Sequence, residues 1–396
     1  MDPIGNPYQP SAGVRPRELA GRDRELAAID VLIGRSERGF VSQSLVLTGL
    51  RGVGKTVLLH EFARRARERG WIVAQIEGPS DFDATGDGAL RAKLARGLHS
   101  SMREALGRWK KSELLARAAG ALKAFTLSVD PSGTWTIGLD VAASSGRADT
   151  GQVELDLPEL AVDLGSAAKS RGVGVLVCVD EMQQLSRPDL AAVCAACHEA
   201  GQREVPFYIA GAGLPNLPGE LADAKSYAER LFEYSRLGPL STAEAAQALR
   251  MPALEQGVQW RKNALDLAVA QSGAYPFFLQ MFGRHTWDAA VGPSVITLED
   301  AQVGGALAAE QLDRGFFQSR WDRGTPYQRR YLSAMAVDGD GPSNSGDVAR
   351  RLGRKMSALG PVRAELIAKG LIYSPEHGRL AFTVPGMAAF IERMAD

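Results

Sequence analysis

The sequence predicts an α/β protein: a core with a parallel β-sheet, a helical lid after it, and a small C-terminal domain of helices closed by a β-hairpin. Three stretches predict it. Gly49-Leu50-Arg51-Gly52-Val53-Gly54-Lys55-Thr56 joins the apolar run Ser44 to Thr48 to a helical pattern opening at Lys55, so strand, glycine-rich turn and helix follow one another. Val173 to Val179 is a continuous apolar run of the kind buried on both faces of a parallel sheet, and it ends in Asp180-Glu181. From Thr325 to Val384, three helical segments precede two short strands.

At 396 residues the chain exceeds the usual size of one domain. An apolar fraction of 45% and a charged fraction of 23% are those of a globular protein. Its 46 basic and 46 acidic residues cancel, so binding to nucleic acid would have to use a local patch. No apolar run approaches the length of about 18 residues expected of a membrane helix, and the N-terminus lacks a basic start, apolar stretch and cleavage site. A cytoplasmic protein with no membrane partner is expected. Cys178, Cys194 and Cys197 are too few for a disulfide framework. Cys194-Ala195-Ala196-Cys197-His198 matches a haem-attachment spacing, but it falls on a helical pattern from Asp189 to Ala200 with no second ligand pair. Buried thiols are the expectation there.

The glycine-rich turn has the chemistry of a phosphate-binding loop, and the core is therefore expected to be a P-loop NTPase core. Its glycines let backbone N–H groups turn inward with no Cβ in the way, and the positive end of the next helix adds to the cradle. Gly49, Leu50, Arg51, Gly52, Val53, Gly54, Lys55, Thr56 and Val57 are the candidate nucleotide contacts. Lys55 would reach the β and γ phosphates, and the Thr56 hydroxyl would take one position on a magnesium ion. Asp180, at the end of an apolar strand, is the second candidate for the magnesium, and Glu181 the group that orients and polarises an attacking water. ATP and Mg2+ are the implied cofactors, with ATP hydrolysis the implied reaction.

In chain order, Met1 to Arg17 is rich in proline and reads as an extended lead-in. Helices are predicted from Lys55 to Arg69, through Leu90 to Leu122 and from Pro158 to Arg171, with strands at Trp71 to Ile76 and Pro206 to Gly213. Phe125 to Val129 and Thr134 to Val141 alternate around Asp130-Pro131-Ser132-Gly133 like a hairpin, within a segment, 79–153, that reads as an insertion. Ser241 caps a further helix, and helices continue to about Leu312.

Leu19-Ala20-Gly21-Arg22-Asp23-Arg24-Glu25-Leu26 resembles the box that lies against the adenine in many AAA-plus ATPases, which implies that Arg22 contacts nucleotide. With both phosphate motifs, the lid and the C-terminal helices and hairpin, the chain resembles the AAA-plus and STAND ATPases, in particular archaeal-type and origin-recognition-like members. The resemblance implies an extended lead-in at 1–18, an ATPase core at 19–240, a helical lid at 241–320 and a winged helix-turn-helix at 321–396. It implies a finger arginine that reaches a neighbouring subunit's nucleotide in a homo-oligomer, with Arg230 first and Arg236 second. Two features depart from the AAA-plus pattern. Gly211 and Ala212 stand where a polar sensor is common, with Asn216 the nearest substitute, and Pro276 replaces the lid arginine, which is similar to the Gly-x-Pro motif of STAND proteins except that Gly273 stands one residue early. Hydrolysis is accordingly expected to be slow.

The winged helix carries Arg350, Arg351, Arg354, Lys355, Arg363 and Lys369 against one acid, Glu365, between residues 350 and 369. Such a patch would suit double-stranded DNA, with the third helix, Ser357 to Lys369, offered to the major groove. Two functional classes follow: a nucleotide-gated DNA-binding ATPase, or a signalling ATPase whose winged helix makes protein contacts or autoinhibits.

Overall fold

The computed structural model describes residues 1–79, 89–109, 112–128, 130 and 141–395. The chain divides into two units. The sheet unit is Arg24–Thr48 with Lys55–Arg236, and the helical unit is Met1–Asp23, Gly49–Gly54 and Leu237–Asp396.

In the sheet unit, helix α1 (Asp23–Glu37) precedes strand β1 (Ser44–Thr48), and α2 (Lys55–Glu68) leads to β2 (Ile72–Glu77). Helices α3 (Ala89–Arg108), α4 (Glu113–Leu127) and α5 (Val153–Lys169) lead to β3 (Val175–Asp180). Then α6 (Arg187–Gln202) leads to β4 (Phe207–Gly213), and the short α7 (Leu217–Ala224) and α8 (Ala228–Leu231) to β5 (Phe232–Arg236). All pairings are parallel, in the order β2-β3-β4-β1-β5. Parallel neighbours need crossovers, and the helices supply them.

Val46, Val177 and Ile209 sit at the middle of this sheet and are almost wholly buried. Both faces are covered, so β3 reads as Val-Leu-Val-Cys-Val with no polar alternation. Each fully buried Val, Leu or Ile contributes about 1.5–3 kcal/mol. The register pairs Glu77 with Asp180, Val179 with Gly211 and Gly213 with Thr48. Four strands therefore finish level, at the carboxyl edge where ligands bind in open α/β sheets.

Two expectations are corrected here. Phe125 to Leu127 is the last turn of α4, not a strand, while most of Thr134 to Val141 lies outside the described residues. Helix α5 begins at Val153 and carries Pro158 inside it instead of starting there. One buried group accounts for both. The Arg91 guanidinium lies 4.0 Å from the centre of the Phe125 ring, donates from Nε to the Phe125 carbonyl at 2.8 Å, and from Nη1 to Asp156 at 2.5 Å. Asp156 also accepts from the Thr150 and Gly151 amides, so the turn that holds it is fixed before Pro158 is reached.

In the helical unit, α9 (Thr242–Glu255), β6 (Gln259–Trp260), α10 (Lys262–Gln271), α11 (Pro276–Ala289), β7 (Val295–Ile296) and α12 (Leu298–Gln311) follow in order. Ser241 and Glu244 form a capping box that starts α9, satisfying two amides the helix cannot pair itself. A π-helical turn, Leu312–Phe317, runs into α13 (Gln318–Asp322) and α14 (Pro326–Ala336), the latter capped by Thr325 and Gln328. Strand β8 (Ser343–Asn344), α15 (Ser345–Arg351), α16 (Gly360–Ala368), β9 (Ile372–Tyr373), β10 (Arg379–Phe382) and α17 (Met387–Ala395) complete it. The sheet order is β8-β10-β9, antiparallel.

Pro361 shortens the expected third helix. It sits in the first turn of α16, and a separate 3-10 turn, Met356–Leu359, precedes it. Helix α17 goes beyond the expected elements; its Phe390 stacks on Phe317 at 5.4 Å. The N-terminal lead-in is extended but docked. Tyr8 is buried, its hydroxyl accepts from Trp260 Nε1 at 2.9 Å, and it donates to the Leu249 carbonyl at 2.5 Å.

Among the described residues no helix is long and apolar enough to cross a membrane. Cys178, Cys194 and Cys197 are free and buried, and burial pushes each thiol up to about 12. Among the described residues, no cluster of His, Cys, Asp or Glu offers a metal site of three such ligands.

Candidate phosphate-binding site

In the sheet unit, Thr56 stands in the first turn of α2 and Asp180 at the last position of β3. Their oxygens meet: Thr56 Oγ1 donates to Asp180 Oδ2 at 2.6 Å across 124 residues of sequence. Asp180 Oδ1 accepts from the Glu181 amide at 2.8 Å. A hydroxyl and a carboxylate converging at the carboxyl edge of a parallel sheet are hard oxygen ligands of the type magnesium takes, with room left for water and phosphate. These two residues would hold the ion. Lys55 opens the same helix and its side chain is buried.

Glu181 adopts a left-handed backbone, φ 47° and ψ 41°. For a residue with a Cβ this conformation is sparsely populated and costs about 1–3 kcal/mol, a cost typical of functional turns. It swings the chain out of β3 at once, so that Asp180 ends the strand and the Glu181 side chain leaves in a new direction. Gln183 Nε2 donates to Glu181 Oε2 at 2.6 Å.

In the helical unit, the loop Gly49–Gly54 is braced from three sides. Gly52 and Gly54 have φ of 91° and 93°, a region closed to most side chains. Arg22 is buried, and its Nη2 donates to the Val53 carbonyl at 3.1 Å and to the Gly238 carbonyl at 3.0 Å. Arg22 thus supports the loop backbone. The Phe277 amide, one residue after Pro276 in the first turn of α11, donates to the Gly52 carbonyl at 3.1 Å. The Arg51 amide donates to the Thr383 carbonyl at 2.9 Å, and a Cβ on Gly370 would come within 3.2 Å of Arg51 Nη2. From Gly54 the chain passes directly into Lys55 and α2.

The C-terminal helices bring a further arginine, Arg320, within electrostatic reach of Arg51. Arg320 stacks over the Phe316 ring at 3.8 Å, and Phe316 stacks on Phe277 at 5.2 Å. Burial, then repulsion from Arg51 and Arg323, pulls the Arg320 guanidinium down to about 10.

The remaining candidates are dispersed. Arg230 is exposed on α8, where its carbonyl accepts from Gln43, and Arg236 is exposed at the end of β5. Asn216 is the N-cap of α7 and donates its amide to Glu220 at 2.6 Å. In the basic patch, Arg350 pairs with Asp347 at 2.7 Å, and Arg351 pairs with Asp338 and holds that carboxyl below its ordinary range. Lys369 Nζ donates to the Arg323 carbonyl at 2.9 Å and to Gln328 Oε1 at 2.8 Å. Arg354 and Lys355 lie in an exposed run, and Arg363 is half-buried on α16.

Residues 18–209 match a family described as AAA ATPase domain, and residues 314–391 match one described only as a domain of unknown function. No curated protein matches the chain. Among solved structures the chain is similar to the Walker-type ATPase PABY2304 of Pyrococcus abyssi, at 15% identity and a TM-score of 0.57 over 96% of this chain and 97% of that one. The fold is that of a P-loop NTPase. The Thermotoga maritima RuvB Holliday junction branch migration motor (16% identity, TM-score 0.45, 93% and 95% covered) is a more distant likeness. The same holds for the Aeropyrum pernix ORC1 protein in complex with DNA (14%, 0.46, 96% and 92%).

Proposed function

We propose that this P-loop chain binds ATP with magnesium, hydrolyses it slowly, and uses the nucleotide to control its C-terminal domain. The meeting of Thr56 with Asp180 carries the first part. Two residues with no sequence proximity bring a hydroxyl and a carboxylate to one point, immediately after a loop whose conformation requires glycine. Magnesium bound there would neutralise charge on the phosphates. Lys55 supplies a fixed positive charge to the β and γ phosphates. Glu181 orients a water whose oxygen bonds to the γ phosphorus while the bond to the β–γ bridging oxygen breaks. The water's proton passes to the Glu181 carboxylate and then to the phosphate product, and ADP leaves.

Along the chain the proposal assigns a core at 19–240 with an insertion at 79–153, a lid at 241–320, and a C-terminal winged helix at 321–396. The order α14, β8, α15, α16, β9, β10, with an antiparallel sheet, supports the winged-helix assignment. The Arg51–Thr383 and Gly52–Phe277 bonds support a switch in which lid and winged helix respond to the loop. Slow hydrolysis is supported by the absence of a polar side chain at Gly211 and Ala212 and of a lid arginine at Pro276. Arg230, exposed, remains the candidate finger toward a second copy of the chain.

DNA binding is a second reading, favoured by the exposure of Arg354 and Lys355. The pairing of Arg350, Arg351 and Lys369 within the chain favours protein contact instead. Amide hydrogen exchange with and without ATP and magnesium tests the switch. Nucleotide is expected to change protection at residues 370–384; unchanged exchange there, with ATP bound, removes the switch. Duplex DNA binding at two salt concentrations tests the second reading, and none at low salt removes it.

A further inference from the structure

One side chain from the turn after β3 reaches the end of β4. Gln183 lies in the 3-10 turn that follows Glu181. One end of its amide donates to Glu181 Oε2 at 2.6 Å, and the other accepts from the Leu214 amide at 3.1 Å, one residue past β4. A carboxylate can only accept and a backbone N–H can only donate, so the two partners fix which way the amide points. The strand leaves space for it: a Cβ on Gly213 would come within 2.7 Å of Gln183 Oε1, and one on Gly211 within 2.5 Å of Met182 Sδ. β4 has thus no side chain of its own at these two positions because the turn after β3 fills them.

We infer that Gln183 is the positioning residue for Glu181, tying its carboxylate to the end of β4 in place of a polar residue on that strand. This rests on the reading of Glu181 as the group that orients water. A carboxylate on a left-handed turn has several rotamers open to it. Gln183 limits them, and because its other end is bonded to backbone, a shift of β4 relative to β3 is transmitted to Glu181. Asn216 donates instead to Glu220.

The test compares steady-state ATP turnover and ATP affinity of the full chain in wild type, Gln183→Met and Gln183→Glu. Methionine keeps the length and volume and loses both bonds. Turnover is expected to fall about ten- to a hundredfold, the range for losing a hydrogen bond to a charged group, with affinity for ATP within about twofold of wild type. Gln183→Glu keeps an acceptor for Leu214 and loses the donor to Glu181. It is expected to be at least as slow at neutral pH and to regain turnover relative to wild type as pH falls toward about 5, where the introduced carboxyl protonates and donates again. A packing role alone would not produce that pH dependence. Wild-type turnover in Gln183→Met overturns the inference and leaves the ATPase reading standing. A wild type that binds ATP and never turns it over overturns the role of Glu181 and, with it, this inference.

Discussion

The corner at Thr56 and Asp180 and the basic run from Arg350 to Lys369 both invite a functional reading from sequence, and they differ in how their charges are used. At the corner, a hydroxyl from the first turn of α2 meets a carboxylate at the end of β3, and each is the other's partner. In the run, Arg350 and Arg351 each find a nearby acid, and Lys369 a carbonyl and an amide oxygen. A net count of charges along a segment therefore overstates what the surface offers, whereas a motif bound to a strand end fixes both residue and direction. Surface pairs of this kind are worth only about 0–1 kcal/mol each, so they reduce a patch without abolishing it.

The largest expected effect lies at the corner. Glu181→Gln should keep ATP affinity and lose about 10²–10⁴ in turnover, measured by phosphate release, as removal of a general base does. Equal rates would detach Glu181 from the chemistry. Lys55→Ala should weaken ATP binding by about a hundredfold in calorimetric titration, the loss of a strong charge-assisted bond to phosphate. Away from both regions, Asp156→Ala should destabilise the protein by about 3–5 kcal/mol in denaturant titration, because it leaves Arg91 buried without its partner, whose side chain is 1% exposed. The smallest effect sharpens the contrast. Asp338→Asn releases Arg351; if the run binds duplex DNA, affinity should rise about two- to fivefold at low salt, and if it serves protein contact alone, no binding should appear.

Much of the architecture was legible because apolar continuity and glycine placement are local signals. β3 was readable from the run Val173–Val179, and the start of α9 from its cap Ser241. What escaped depends on contacts between distant residues. Arg91 reaches both Phe125 and Asp156, and that pairing extends α4 over a segment that alternates like a strand and starts α5 before its proline. Tyr8 lies in a proline-rich stretch that composition marks as a lead-in, yet it is buried against Trp260. Gln183 is invisible for a further reason: its role needs the left-handed turn at Glu181 and the register of β4 together, and neither is written in residue type. In the C-terminal run, residue identity is plain from sequence but partner identity is not.

The most direct test is ATP binding with and without magnesium, by calorimetry, in wild type and in Asp180→Ala. Magnesium should strengthen ATP binding to wild type, and that gain should be absent in Asp180→Ala while magnesium-free binding is retained. The same magnesium-dependent gain in both proteins would contradict the assignment of Asp180 and Thr56 to one metal-phosphate corner.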